Sequence, residues 1–105
     1  MEKRVDTYES MYYYMMESFE WDDAKDNVNQ VKHGISFEQA QQAFLDTKRI
    51  IALDKSHSTQ EKRFYCMGKV MGGVLTVRFT YRSGKIRIIG AGFWRKGKKV
   101  YEEKN

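Results

Sequence analysis

Residues 57–63 place an imidazole, a carboxylate and a guanidinium within one short polar segment, His-Ser-Thr-Gln-Glu-Lys-Arg. Cleavage of an RNA phosphodiester by its neighbouring 2′-hydroxyl needs a base, an acid for the leaving oxygen, and cations beside the phosphoryl oxygens. His57 and Glu61 have the chemistry for the proton transfers, and Arg63 has the charge to stabilise the phosphate. A His and a Glu in a polar loop are equally typical of ordinary surface residues, so this segment alone leaves both interpretations open.

Positive charge is concentrated in the second half of the chain. From Lys62 to Tyr101 there are eleven Lys and Arg and no Asp or Glu, in a chain whose formal net charge is +5. A stretch that cannot neutralise itself locally favours a polyanionic partner. A solvated surface that aids solubility would have the same composition, and this alternative stays open.

The composition also argues against several classes of protein. Cys66 is the one cysteine and there are two histidines, so an internal disulfide is excluded and a zinc site is disfavoured. No apolar run approaches the length needed to cross a bilayer, and the first residues lack the features of a signal peptide. We therefore expect a cytoplasmic protein with no metal, no cofactor and no membrane partner.

Residue periodicity predicts two short helices followed by several strands. Capping signals and apolar spacing indicate helices over residues 22–33 and 37–46. Alternating residues and Gly-containing turns then predict strands over residues 49–53, 62–70, 74–81 and 86–91. We expect an α+β domain over residues 19–105, in which two N-terminal helices pack on one face of an antiparallel four-stranded sheet and a short C-terminal helix follows. Residues 1–18, rich in Tyr and Met, are expected to form an N-terminal extension, to which we assign no role.

Alternation along the predicted strands places one arginine from each of three strands on the same side of the sheet. Arg63, Arg78 and Arg87 alternate with apolar residues that would face the helices, and successive side chains of a strand point to opposite faces. The sequence therefore predicts a phosphate-binding platform on the uncovered face. Ordinary polar-out alternation with arginine at solvent positions gives the same pattern.

The order of short motifs along residues 19–103 resembles that of the BrnT family of toxins. Each motif is weak alone, but together they are specific. The residues that carry the resemblance are Phe19-Glu20-Trp21-Asp22, Lys25, Asn29, Lys32-His33-Gly34, Ile35-Ser36-Phe37-Glu38, Phe44, Asp46, Asp54, His57-Ser58, Glu61, Arg63, Thr80-Tyr81-Arg82, Arg87-Ile88-Ile89 and Tyr101-Glu102.

This resemblance implies a RelE-like fold and a ribonuclease that halts translation by cutting RNA, as the toxin of a type II toxin–antitoxin pair. Together with the basic stretch that lacks acidic residues and the His57–Arg63 segment, it leads us to expect a metal-independent endoribonuclease. The resemblance also implies a BrnA-type antitoxin with a ribbon-helix-helix domain. The toxin itself would contact operator DNA only through this antitoxin. Carried over by position, the expected catalytic residues are His57, Glu61, Arg63, Arg82 and Arg87. Lesser, RNA-binding candidates are Lys32 and His33, to which the strand alternation adds Arg78.

The C-terminal part departs from the family pattern. Many relatives follow the last strand with Ser-Ala-Arg and later with a Glu-Arg pair, whereas residues 90–97 here read Gly-Ala-Gly-Phe-Trp-Arg-Lys-Gly. If the missing arginine contacts the scissile phosphate, either Arg95 or Lys96 replaces it in binding RNA, or the activity is reduced. Two rival functions stay open at this point: an RNA- or DNA-binding module that does not cut, and a basic interaction domain that docks an acidic partner.

Overall fold

The computed structural model describes residues 18–105, so the predicted extension lies outside the described residues except for Ser18. Residues 18–105 fold as an α+β domain, and the five strands of this part of the chain form one sheet in the order β1-β5-β4-β3-β2. The elements are β1 (Phe19–Trp21), α1 (Asp23–His33), α2 (Phe37–Ala40) with a 3₁₀ continuation (Gln41–Leu45), β2 (Ile50–Leu53), a 3₁₀ turn (Lys55–His57), β3 (Arg63–Val70), β4 (Gly73–Arg82), β5 (Lys85–Gly92) and α3 (Arg95–Lys104).

The sheet differs from the prediction in one strand. The α+β class and the antiparallel β2–β5 meander are confirmed, but the expectation of four antiparallel strands is wrong. Phe19–Trp21 forms a fifth strand that pairs in parallel with β5, with Phe19 opposite Ile86 and Trp21 opposite Ile88. A strand of three residues is too short to show alternation, and its partner strand lies far along the chain. No local sequence pattern therefore predicts β1.

Both predicted helix starts have the capping contacts that their sequences suggest. The Asp22 side chain accepts a hydrogen bond from the Lys25 amide at 3.1 Å, and α1 ends at Gly34, whose φ of 68° is left-handed. Ser36 and Gln39 form a reciprocal capping box at the start of α2. These caps fix where the two helices begin against the sheet.

The main core lies between the sheet and the segment formed by Ile35, α2 and its 3₁₀ continuation; α1 contributes no residue to it, so the predicted packing of both helices on this face holds only for the second. Phe37 and Phe44 from the helical side meet Phe79 and Ile88 of the central strands, and all four are almost fully buried. The Phe44 and Phe79 rings meet edge-on at 5.1 Å. This packing leaves the opposite face of the sheet for the polar side chains of the alternation.

That opposite face is partly covered by α3, so the prediction of an uncovered face holds for only part of it. Tyr101 of α3 packs with Met67 and Val74 in a second, smaller core. Gly97 lies so close to the sheet that an added β-carbon would collide with the Thr76 hydroxyl. The helix therefore occupies the end of the face where β4 begins.

Candidate active site

The strand register places the predicted arginines on one face, toward the end that α3 does not occupy. Arg63 lies opposite Thr80, and Thr80 lies opposite Arg87, so these residues form one row across β3, β4 and β5. Arg78 lies two residues before Thr80 on the same face and opposite Tyr65. The predicted sharing of one face by three arginines is therefore confirmed.

Glu61 lies between two of the candidate arginines. Its Oε2 is 3.3 Å from Nη2 of Arg63, and its two carboxylate oxygens are 3.3 and 3.2 Å from Nη2 of Arg82. Partial desolvation opposes ionisation, but the hydrogen bond and charge of Arg82, followed by those of Arg63, outweigh it and lower the pKa of Glu61. Glu61 therefore carries a negative charge at neutral pH.

His57 is held by a carboxylate that was not among the predicted site residues. Asp54 is only 4% exposed, and its Oδ2 lies 2.9 Å from Nδ1 of His57. Ser56 donates from its hydroxyl to Asp54 Oδ1 at 3.0 Å. Burial alone would raise the pKa of Asp54, but hydrogen bonds from Ser56, His57 and Tyr65 outweigh it and lower the pKa. A carboxylate can only accept, so Nδ1 carries the hydrogen and Nε2 is the free ring nitrogen.

The segment between β2 and β3 is closed by hydrogen bonds that bring His57 back to the arginines. The Asp54 amide donates to the Arg63 carbonyl at 2.7 Å. The Ser58 hydroxyl donates to the Asp54 carbonyl at 2.6 Å and accepts from the Arg63 amide at 3.0 Å. His57, Glu61 and Arg63 consequently lie around one cleft of about 520 Å³, which is lined by Ser56, His57, Thr59, Gln60, Glu61, Arg63 and Arg82.

Two further predicted arginines lie on the same face but outside the lining of the cleft. Arg87 forms an ion pair with Glu20 of β1 at 3.4 Å, and it is separated from Arg63 by two strand spacings, roughly 10 Å. Arg78 is half-buried and has no carboxylate within ion-pairing distance among residues 18–105. These two arginines extend the positive surface beyond the cleft.

The structure separates the remaining predicted RNA-binding residues. Lys32 and His33 lie in the last turn of α1, and the His33 ring meets the Trp94 ring edge-on at 5.3 Å. Neither is brought to the cleft. Arg95 lies beside the β3–β4 turn with Lys69, whereas Lys96 lines a cavity with Ser56. Of the two candidates for the missing arginine, Lys96 is the one next to the cleft.

The remaining chemistry of the described residues is limited. Burial raises the pKa of the Cys66 thiol to about 12, which makes it a poor nucleophile. Residues 18–105 contain no group of three or more His, Cys, Asp and Glu side chains arranged to hold a metal ion. None of the helices in this part of the chain is long and apolar enough to span a membrane.

An α+β domain with arginines along an open sheet face, beside a cleft that holds an oriented imidazole, has the groups that phosphodiester cleavage requires. Residues 21–97 match the model of a known family, the BrnT ribonuclease toxin of type II toxin–antitoxin systems. This match covers more than half of the chain, so the protein belongs to the BrnT family, as the order of its motifs predicted. No curated protein matches the chain. Membership of the family implies an RNA substrate and an antitoxin partner.

Proposed function

We propose that this protein is a metal-independent endoribonuclease that cuts cytoplasmic RNA at the His57–Glu61–Arg63 cleft and thereby inhibits translation. A BrnA-type ribbon-helix-helix antitoxin would neutralise it and carry it to operator DNA. The observation that carries the proposal is the convergence of an oriented imidazole and two guanidinium groups on one cleft within a ribonuclease family.

The arginines of the cleft would hold the scissile phosphate. Arg63 and Arg82 both place Nη2 beside the Glu61 carboxylate, so their guanidinium groups point to a common place where one phosphate would receive a charge-assisted hydrogen bond from each. Arg78 and Arg87, farther along the face, would bind neighbouring phosphates of the same strand. This assignment gives the arginine row a role in both binding and charge stabilisation.

The two candidates for proton transfer have different environments. A general base or acid works best when its pKa is near the operating pH. The pKa of Glu61 is lowered by its arginines, away from that range, and both of its carboxylate oxygens contact guanidinium groups, whereas Nε2 of His57 has no hydrogen-bond partner among residues 18–105. We therefore assign proton transfer to Nε2 of His57, positioned by Asp54, and the holding of Arg63 and Arg82 to Glu61.

The test compares purified variants on the same RNA, with and without a chelator. His57→Ala and Arg63→Ala should each lower the cleavage rate by about 10²- to 10⁴-fold, the usual contribution of a positioned catalytic group. Lys62→Ala is the matched control, because Lys62 is exposed and adjoins Arg63 without lining the cleft. Chelation should leave the parent's rate unchanged.

In cells, the same two variants should relieve growth arrest and restore amino-acid incorporation, while Lys62→Ala should not. If His57→Ala and Arg63→Ala cut RNA and arrest growth like the parent, the assigned cleft is wrong. If the parent binds RNA in a salt-dependent way but leaves it intact, the protein is a binding module and not an enzyme.

A further inference from the structure

A second cavity, of about 620 Å³, lies between β2, the partly covered face of the sheet and the beginning of α3. Its wall is mainly aromatic and aliphatic, with a few polar groups among them. The apolar wall includes Tyr65, Met67, Trp94 and Val100, and the polar lining residues are Asp54, Lys55, Ser56, Thr76 and Lys96.

This cavity adjoins the cleft. Ser56 lines both of them, so they meet at the Lys55–His57 turn. Tyr65 lies two residues along β3 from Arg63, on the same side of the strand, and directly opposite Arg78. Two residues of a strand span roughly 7 Å, so a group bound here lies next to the place assigned to the phosphate.

One polar group of the cavity wall is unsatisfied. Thr76 is 4% exposed, and its hydroxyl oxygen has no hydrogen-bond partner among the described residues. Buried hydroxyls are nearly always paired, and an unpaired one destabilises the protein. The Thr76 hydroxyl oxygen is itself inaccessible, because it lies against Gly97 of α3, so the donor that the cavity offers to a ligand is Lys96. An aromatic and aliphatic wall with Lys96 on one side, and with the polar residues 54–56 where it meets the cleft, suits a flat heteroaromatic ligand better than an aliphatic one.

We propose that this cavity is a nucleobase subsite, which takes the base adjoining the phosphate held at the Glu61–Arg63–Arg82 cleft. The assignment rests on the proposed function in that the ligand is RNA. Tyr65 and Trp94 supply aromatic surface for an unstacked base, as in other proteins that bind single-stranded RNA. Lys96 supplies a hydrogen bond to its edge. The cavity would thereby set which nucleotide stands beside the cut.

The test uses 2′-O-methyl RNA hexamers, which cannot be cleaved through the 2′-hydroxyl, with one abasic position moved along the strand. Their dissociation constants are measured by fluorescence anisotropy. For the parent protein, removing the base at one position should weaken binding about tenfold, a typical effect for one stacked base. Removal at the other positions should have little effect.

Two variants fill the cavity from opposite sides without touching the residues of the cleft. Ala52→Phe adds a ring from β2, and Val100→Phe adds one from α3. Either folded variant should bind all the hexamers with similar dissociation constants, because the added ring fills the cavity and the base at the sensitive position cannot enter it. Val31→Phe is the matched control, since Val31 is 87% exposed on α1, and it should keep the parent's position dependence.

The outcomes separate this proposal from the proposed function. A parent that shows one sensitive position but leaves natural RNA uncut supports the subsite and overturns the enzymatic assignment. Cleavage of natural RNA, together with equal weakening at every abasic position, overturns the subsite alone. Position dependence that persists in a folded cavity-filling variant also overturns it, and failure to bind any hexamer overturns both.

Discussion

The contact between Asp54 Oδ2 and His57 Nδ1 gives the sharpest prediction. A single substitution of the buried Asp54 should change the stability of the protein, the pH dependence of that stability and the rate of catalysis. Asp54→Asn keeps the shape of the side chain but replaces one accepting oxygen with a donating amide. The parent carboxylate receives bonds from Ser56 at 3.0 Å and from His57 at 2.9 Å. The variant can satisfy only one of them as before. The loss of one hydrogen bond to a buried charge should lower the free energy of unfolding by about 1.5–3 kcal/mol.

The sign of the pH dependence follows from the lowered pKa. The contribution of a carboxylate whose pKa is lower in the folded protein is complete above its unfolded value, here near 3.8, and is lost as the pH falls through the folded value. The difference in unfolding free energy between parent and Asp54→Asn should therefore be constant from pH 7 to about pH 5. It should shrink in more acidic buffer.

The same substitution should reduce cleavage. Asparagine no longer requires the hydrogen on Nδ1 of His57, so the ring can adopt the tautomer that leaves Nε2 protonated. We expect a fall in kcat of about 10²- to 10⁴-fold, comparable with the loss of the base itself, and little change in RNA affinity. Asp23→Asn, at an exposed aspartate in the first turn of α1, is the control.

Urea titrations from pH 3 to 7 and single-turnover cleavage measure these two effects. A stability difference that is the same at all pH values would show that packing, and not the charge of Asp54, is involved. Parent-like cleavage by Asp54→Asn would refute the idea that His57 needs an orienting partner.

Three further predictions concern the elements that support the site. Gly97→Ala should gain about 1 kcal/mol in helix propensity but lose about 1–3 kcal/mol because its β-carbon collides with Thr76, so urea denaturation should show net destabilisation. Tyr101→Phe removes the 2.5 Å hydrogen bond from the Tyr101 hydroxyl to the Asp46 carboxylate, which raises the pKa of Tyr101 to about 12 in the parent. This variant should lower the free energy of unfolding by about 2 kcal/mol, and a variant as stable as the parent would show that the contact contributes nothing. Cys66 should react with a thiol reagent at pH 8 only after unfolding, because it is buried and its pKa is raised to about 12; fast labelling of the folded protein would contradict the packing described here.

The sequence predicted those parts of the fold that depend on local patterns. Alternation along β3, β4 and β5 was enough to place Arg63, Arg78 and Arg87 on one face, because the period of two in a strand does not depend on what the strand packs against. The helix caps at Asp22 and Ser36 were readable for the same reason, since a cap contacts residues only three positions away.

The parts that the sequence did not reveal depend on contacts between distant segments. Strand β1 exists through its pairing with Ile86–Ile88, and three residues carry no period of their own. The position of α3 over the sheet depends on Gly97 and Tyr101, in a segment that otherwise reads as a basic tail. Asp54 stands only three residues before His57, but their contact requires the 3₁₀ turn between them. A carboxylate three residues before a candidate histidine is the sequence signal that could have indicated this contact, although Asp54 was not among the predicted site residues.

The carboxylate shared by Arg63 and Arg82 has a consequence for how RNA affinity responds to salt. Glu61 serves these two arginines as a built-in counterion, so the free protein presents a net charge of one unit at this point rather than two. When an RNA phosphate binds, it replaces the Glu61 carboxylate as the partner of the two guanidinium groups. Fewer small ions are released overall than the number of arginines suggests, and the slope of log K against log salt is correspondingly shallow. Replacing Glu61 with glutamine would make that slope steeper.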